Sequence, residues 1–135
     1  MKFNELKVGM SCSMSKAFTS EEVLSFADLS RDNNPIHINE NYARNSLFGK
    51  RIVHGFLSAS LFSAIIGTEF PGKGSIYLSQ NLNFLRPVFH NQVITATVTV
   101  RELYAEKRRV LLETICEDEQ GNLLITGSAL VKLSE

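Results

Sequence analysis

The spacing of the apolar residues along the chain changes near residue 75. Before that point, apolar residues recur every three to four positions, which is typical of helices, and after it they alternate with polar residues, which is typical of strands. The sequence therefore predicts a helical segment followed by a β-rich segment. This order is typical of an α+β domain in which helices pack on one face of an antiparallel sheet.

The first predicted helix begins at a capping box. Thr19 is placed as the N-cap and Glu22 follows three residues later, so the apolar residues after them predict an amphipathic helix over residues 20–30. Pro35 disfavours helical geometry at the residue before it. We therefore predict that the helix has ended by then and that residues 31–38 form a loop.

A long helix is predicted over residues 53–68, after a short helix that Asn39 caps and that extends through Asn45. The long segment is apolar on almost every side, and a helix of that kind must be buried. We interpret it as the core that the rest of the chain wraps.

Five strands are predicted, one before the helices and four after them. The run Pro71-Gly72-Lys73-Gly74 is a turn signal that ends the helical half, and Glu119-Gln120-Gly121-Asn122 predicts a hairpin turn. The sheet should curl around the long helix, because a helix apolar all round needs cover on more than one side. The predicted strands span residues 10–18, 75–85, 92–104, 108–117 and 122–133.

Composition favours one soluble globular domain over residues 1–135. Apolar residues make up 44% of the 135 positions and charged residues 21%, as in ordinary globular chains. The 14 basic and 14 acidic residues cancel, which argues against a nucleic-acid partner. No apolar run reaches the roughly 18 residues expected of a membrane span.

The two cysteines, Cys12 and Cys116, fit no metal-ligand spacing. The N-terminal segment has no apolar stretch of the kind found in signal peptides. We therefore expect reduced thiols, a cytoplasmic protein and no metal site.

The first candidate for chemistry is the pair Asp32 and His37, five residues apart around Pro35. If the turn lies beside the buried helix, a carboxylate and an imidazole can hold one water, and imidazole is the usual general base near neutral pH. Alternatively, Asp32 bonds its own backbone and His37 caps a helix. Spacing alone leaves both roles open.

Gly55 is placed at the start of the long helix, where the first N–H groups have no intrahelical acceptor and a glycine lets a ligand approach closely. It is a candidate oxyanion donor, or else a residue that allows tight packing. Ser58 and Ser60 are expected to bond the carbonyl four residues back. Ser63, about two turns beyond Gly55, could bond Asp32 or a bound carbonyl. The other two histidines receive plainer predictions: a structural role for His54 and a solvated turn for His90.

Several motifs resemble the hydratase-2 motif of MaoC-like proteins. The segment Phe26-Ala27-Asp28-Leu29-Ser30-Arg31-Asp32-Asn33-Asn34-Pro35-Ile36-His37, with Ala43 six residues later, carries the likeness. It continues through Val53-His54-Gly55, Pro71-Gly72-Lys73-Gly74-Ser75-Ile76-Tyr77-Leu78 and Phe84-Leu85-Arg86-Pro87-Val88, and so covers nearly the whole chain. The closest likeness is to short (R)-specific enoyl-CoA hydratases of the polyhydroxyalkanoate-linked type. Arg31 departs from it, because that position of the motif is often glycine.

The resemblance implies a hot-dog fold, in which an antiparallel sheet wraps a long central helix, and a homodimer with a substrate tunnel near the subunit interface. It also implies reversible hydration of a trans-2-enoyl-CoA to an (R)-3-hydroxyacyl-CoA, with no metal or redox cofactor. Carried over, Asp32 and His37 would be the catalytic pair, Gly55 the oxyanion donor and Ser63 a supporting polar residue.

Two alternatives share the same ligand: a hot-dog thioesterase that hydrolyses the acyl-CoA, and a non-catalytic acyl-CoA-binding module. For either, as for the hydratase, the acyl chain is predicted to lie against Phe62, Ile65, Ile66 and Val131. The CoA phosphates could contact Arg51, Lys73 or Arg86, although a solvated surface role is favoured for each of these side chains.

Overall fold

An antiparallel sheet of five strands packs against one long helix. The computed structural model describes all 135 residues. The strands follow the order β1-β3-β4-β5-β2, and every neighbouring pair is antiparallel. Each strand begins and ends within one residue of its predicted bounds. The predicted α+β, hot-dog architecture is confirmed. The strands are β1 Ser11–Ala17, β2 Ser75–Phe84, β3 Val93–Tyr104, β4 Arg109–Asp118 and β5 Leu123–Leu133.

Four α-helices lie in the first half of the chain. They are α1 Ser20–Ser30, α2 Pro35–Ile38, α3 Glu40–Arg44 and α4 Gly55–Ala64, and a π-helical turn, Ile65–Glu69, extends the last of them. The capping box at Thr19 and the cap at Asn39 are both present. The helix predicted over residues 53–68 is thus present as α4 and its π-helical extension. None of the helices has the length and apolar character needed to cross a membrane.

The prediction of a loop over residues 31–38 is wrong for its last four residues. Asn34 is the N-cap of α2, and its side-chain oxygen accepts a hydrogen bond from the Ile36 N–H at 3.2 Å. Pro35 occupies the first helical position, where its fixed φ suits a helix and its missing N–H is not needed. The proline therefore separates two helices and begins the second, which carries His37.

Arg31 ends α1 in the left-handed conformation, with φ +68° and ψ 10°. A glycine would adopt this conformation without strain, whereas a residue with a side chain adopts it at some cost. The loop into Asp32 therefore has the backbone that a glycine at this position would permit. The replacement of glycine by arginine leaves that geometry in place.

The interior is a cluster of 23 buried apolar residues, most of them from the sheet, α4 and its extension. Inward residues of the long helix include Leu61, and outward ones include Ser60 and Phe56, of which Phe56 is 68% exposed. This chain alone therefore covers only part of a helix that was predicted to be buried all round. An apolar surface of α4 remains uncovered.

Both cysteines are free thiols, as predicted. Cys116 lies in β4 within the core, and burial raises the pKa of its thiol to about 12. It packs as a small apolar side chain.

Candidate active site

Three segments bring Asp32, His37 and His54 together. One carboxylate oxygen of Asp32 and one ring nitrogen from each histidine all lie within 4.8 Å of one another. The loop after α1 supplies the carboxylate, the short helix α2 supplies His37, and His54 is the N-cap of α4. A single water can hydrogen-bond to two groups at this separation.

The hydrogen bond of His37 to the Ile52 carbonyl determines its tautomer. Nδ1 lies 2.9 Å from that oxygen, and a carbonyl only accepts, so Nδ1 carries the hydrogen. In the neutral ring Nε2 is then an acceptor with no partner in the protein. The side chain is 8% exposed. Burial, aided by the neighbouring His54, lowers the pKa of His37, and the Ile52 carbonyl and Asp32 oppose this shift.

Asp32 is a turn residue and still has an open carboxylate oxygen. Its Oδ1 accepts from the Asn34 N–H at 3.2 Å, which is the backbone role named as the alternative to catalysis. Its Oδ2 accepts no hydrogen bond within the chain, and the side chain is exposed. The turn therefore orients the carboxylate without occupying it fully.

His54 lies beneath the pair as a buried support. Its ring stacks on His37 with centroids 3.8 Å apart, and its Nε2 donates to the Asp32 carbonyl at 3.0 Å. The Phe26 ring packs edge-on against the His54 ring, with the two ring centroids 4.8 Å apart. These contacts are consistent with the predicted structural role of His54: it fixes the loop that carries Asp32 and the orientation of the His37 ring.

Asp32, His37 and His54 also have the types of ligand atom, close enough together, that could hold a metal ion. The two imidazoles are stacked with their planes only 25° apart. Lone pairs that lie in nearly parallel ring planes point side by side and do not converge on one ion. This geometry fits a water better than a metal, and the expectation of no metal stays a prediction.

A cavity of about 400 Å³ opens at the N-terminus of α4. Gly55 lies in its wall, and its N–H donates to no acceptor in the chain. A Cβ on this residue would lie 2.6 Å from Cε1 of Phe84, so only glycine fits without displacing that ring. The remaining wall is mainly apolar: Phe48, Ile52, Val53, Phe56, Ser58, Phe84, Leu85, Arg86, Pro87, Val88 and Ile125.

The cavity and the pair Asp32 and His37 are adjacent but not merged in this chain. Neither Asp32 nor His37 lines the cavity wall. Ile52 connects the two places, because its carbonyl accepts from His37 while the residue itself lines the cavity. His54 connects them again, since it bonds Asp32 and directly precedes Gly55.

The serines of α4 differ from their predicted roles. Ser60 bonds the carbonyl of Leu57, three residues back and not four. Ser58 bonds no carbonyl at all, although its hydroxyl is buried and the residue lines the cavity. Ser63 is exposed, makes no hydrogen bond to Asp32 and does not line the cavity. A supporting role for Ser63 stays a prediction.

The four residues assigned to the acyl pocket are packed in the core. Each is at most 1% exposed, and none lines the cavity. Their side chains point inward from α4, its extension and β5, where they fill the space between helix and sheet. In this chain they are therefore core residues, and the apolar wall beside Gly55 is built from others. The four are Phe62, Ile65, Ile66 and Val131.

The prediction of a solvated turn for His90 is right about the turn and wrong about the solvation of the side chain. Its Nδ1 lies 2.9 Å from the Ser20 hydroxyl, and its Nε2 is buried without a partner. Burial, together with the nearby Arg51, lowers the pKa of this imidazole. Long-range packing against the start of α1 causes the difference, and the local turn sequence carries no signal of it.

The three candidate phosphate contacts are spread over different surfaces. Arg86 lines the cavity, Arg51 donates to Ser20 at 3.4 Å, and Lys73 lies on an exposed turn away from the cavity. Only Arg86 is placed where a ligand in the cavity would meet it.

Comparison with known proteins gives one consistent result. The model of the MaoC like domain matches residues 4–120. An (R)-specific enoyl-CoA hydratase of Rhodospirillum rubrum is 44% identical over 96% of this chain and 89% of its own length. Another of Aeromonas caviae is 45% identical over 98% of this chain and 99% of its own. Among solved structures, an (R)-hydratase from A. caviae involved in PHA biosynthesis superposes with a TM-score of 0.93 and 46% identity, covering 95% of this chain and 97% of that one.

Proposed function

Because the chain belongs to the family of MaoC-like domains, we propose that it is an (R)-specific enoyl-CoA hydratase, which reversibly hydrates a trans-2-enoyl-CoA to an (R)-3-hydroxyacyl-CoA. The two relatives of that name, each at least 44% identical over nearly the whole chain, support the assignment. The observation that carries it is the place of His37. The His37 imidazole has an open Nε2 and lies next to the Asp32 carboxylate. It also bonds Ile52, which lines the cavity that contains Gly55.

Substrate activation is assigned to the start of α4. The thioester oxygen accepts a hydrogen bond from the Gly55 N–H, where the partial positive charge of the helix N-terminus also acts. Withdrawal of electron density through the conjugated system makes Cβ electrophilic. The enolate that forms after attack places its negative charge on the same oxygen, so the donor binds the intermediate more strongly than the substrate.

The attacking water is held between Asp32 and His37. It donates one hydrogen to Nε2 of His37, and the open Oδ2 of Asp32 orients it through the other. As its oxygen bonds to Cβ, the electron pair of the double bond moves onto the Cα–thioester unit, and Nε2 takes the water's proton. The lowered pKa of His37 favours the neutral, proton-accepting imidazole before the step and makes its protonated form a stronger acid after it.

The protonated His37 then delivers a proton to Cα, and the enolate returns to a thioester. The net change is addition of one water across the double bond. Because the pair gives the hydroxyl and the proton from one side of the substrate, the addition is syn. No metal or redox cofactor takes part, and CoA is the carrier of the substrate.

The exposed apolar surface of the chain is assigned to a second copy. Strand β2 is a sheet edge, and it leaves Ile76, Tyr77 and Leu78 uncovered. We propose a homodimer joined along this edge, with the substrate entering near the interface. A cytoplasmic location and a role in supplying hydroxyacyl units for polyhydroxyalkanoate are further proposals, the latter supported by the A. caviae structure.

The test is incubation of the purified protein with crotonyl-CoA. We expect loss of the enoyl absorbance without release of free thiol, and an (R)-3-hydroxybutyryl-CoA product by chiral analysis. Release of thiol would favour a thioesterase, and saturable binding without turnover would favour a binding module. Either result would overturn the proposal, and an (S) product would overturn its stereochemistry.

A further inference from the structure

One hydroxyl in the wall of the Gly55 cavity has no hydrogen-bond partner. Ser58 is 1% exposed, and its Oγ is both buried and unpartnered. Most other residues of the wall are apolar. Burial of a hydroxyl that makes no hydrogen bond is unfavourable. A ligand atom that accepts a hydrogen bond from Ser58 would remove this cost.

Two other hydroxyls of α4 and its π-helical extension donate to a backbone carbonyl three or four residues back. Ser60 donates to the Leu57 carbonyl and Thr68 to the Ala64 carbonyl, each at 2.5 Å. The equivalent acceptor for Ser58 would be the carbonyl of His54. That oxygen already accepts from two backbone N–H groups, those of Leu57 at 3.0 Å and of Ser58 itself at 3.1 Å. Ser63 is exposed to solvent, so among the hydroxyls of α4 and its extension Ser58 is the one that is buried without a partner.

Ser58 follows Gly55 by three residues, and both line the same cavity. Residues three apart share a helix face, and helical side chains lean toward the N-terminus of the helix. The Ser58 hydroxyl therefore lies over the turn that begins with the open Gly55 N–H.

We propose that the Ser58 hydroxyl is a second donor to the thioester oxygen of the bound acyl-CoA, beside the Gly55 N–H. This inference rests on the proposed function, because it takes an acyl-CoA as the ligand. A side-chain donor adds to the backbone donor where negative charge develops in the enolate. Such a donor strengthens most when the charge is fully formed, so its loss affects turnover more than substrate binding.

The first test compares Ser58→Ala with the matched control Ser60→Ala, two residues along the helix, whose hydroxyl donates to the Leu57 carbonyl. We expect Ser58→Ala to lower kcat/KM for crotonyl-CoA by roughly 10- to 100-fold, mainly through kcat. Its unfolding temperature should be unchanged or higher, because an unpartnered buried hydroxyl is removed. Ser58→Cys, a weaker donor, should lie between. Ser60→Ala should match the parent in turnover.

A purely structural hydroxyl would give the opposite pattern, and that pattern overturns the proposal. Ser58→Ala would then unfold at a lower temperature and keep the parent's kcat. The two outcomes differ in the sign of the stability change as well as in activity.

The second test does not depend on turnover. Butyryl-CoA, which is saturated and cannot be hydrated, is isotope-labelled at its thioester carbonyl and bound to the parent and to Ser58→Ala. Infrared spectra should show the carbonyl band at lower frequency in the parent than in the variant. Identical bands in the two complexes overturn the role of Ser58 alone. A parent that binds but does not hydrate enoyl-CoA overturns the proposed function alone, and a parent that binds no acyl-CoA overturns both.

Discussion

The bond from His37 to the Ile52 carbonyl decides what this imidazole can do, because it fixes the hydrogen on Nδ1 and leaves Nε2 as the acceptor. The sequence predicted a histidine beside a carboxylate but not which ring nitrogen faces the substrate. That information comes from a contact 15 residues away along the chain. The same holds for His54, whose bond to the Asp32 carbonyl spans 22 residues.

The pH dependence of activity follows from the environment of His37. Burial and the neighbouring His54 lower its pKa, so the base stays neutral to a lower pH than an ordinary histidine. We expect the acid limb of kcat/KM for crotonyl-CoA to have its midpoint below the ordinary histidine value of 6.5.

The lowered pKa of His37 also makes the stability of the fold depend on pH. The unfolded chain binds this proton more readily than the folded one, so the contribution of His37 is complete above pH 6.5 and is lost as the pH falls through the folded pKa. For the pH profile of activity, His90→Gln is the matched control, because the pKa of His90 is also lowered. A midpoint above 6.5, or a limb that disappears in His90→Gln, would contradict the assignment to His37.

The oxyanion donor can be tested with a matched pair at Gly55. Gly55→Ala keeps the N–H and adds a Cβ that meets Phe84, whereas Gly55→Pro also removes the N–H. The first helical position suits proline, so both variants should fold. We expect kcat of the proline variant to be about 10²–10³-fold below that of the alanine variant.

Circular dichroism and unfolding temperature provide the control for folding of the Gly55 variants. A folded Gly55→Pro protein whose kcat equals that of Gly55→Ala would rule out the backbone donor. A large loss in Gly55→Ala alone would instead assign the effect to the displaced Phe84 ring.

At the scale of elements, β2 and α4 present the surface that this chain leaves open. The alternation of residues 75–85 was enough to predict β2, and turn signals placed its start, because both are local features. The exposure of Tyr77 and Leu78 was not predictable, since it depends on β2 being the edge of the sheet. The helix α2 was missed for another reason: Pro35 was interpreted only as the end of a helix.

A charge on the edge strand tests the proposed dimer. Leu78→Lys places a cation in the exposed apolar stretch of β2, and charged side chains on edges oppose pairing. We expect the sedimentation mass to fall from about two chains to one, or 15.1 kDa. Leu29→Lys, an equally drastic change at an exposed residue of α1, should leave the mass unchanged.

Two sedimentation results would count against this interface. One is a parent protein that already sediments as a single chain. The other is dissociation by Leu29→Lys with no effect from Leu78→Lys, which would place the contact on α1.

Across the whole molecule, the sequence predicted the architecture better than the cavity. All five strands and the long helix follow from local sequence patterns, whereas the cavity wall joins residues from the segment before α4, α4 itself, the end of β2, the loop beyond it and β5. Phe62 and Val131 were assigned to the pocket because they are apolar and central, and the structure packs them in the core. Apolar character alone cannot distinguish a core residue from one that lines a cavity.

The central claim is that Asp32 and His37 act as one unit on one water, and a double-variant cycle measures it most directly. The kcat/KM for hydration of crotonyl-CoA is determined for the parent, Asp32→Asn, His37→Ala and the combined variant, each shown to be folded and of the parent's oligomeric state. A positioned acid or base contributes roughly 10²–10⁴-fold, so each single variant should lose at least about that factor. Groups that act together give strongly non-additive losses, and the combined variant should be little worse than the poorer single one. Losses that multiply, or an Asp32→Asn variant with near-parent activity, would contradict the account.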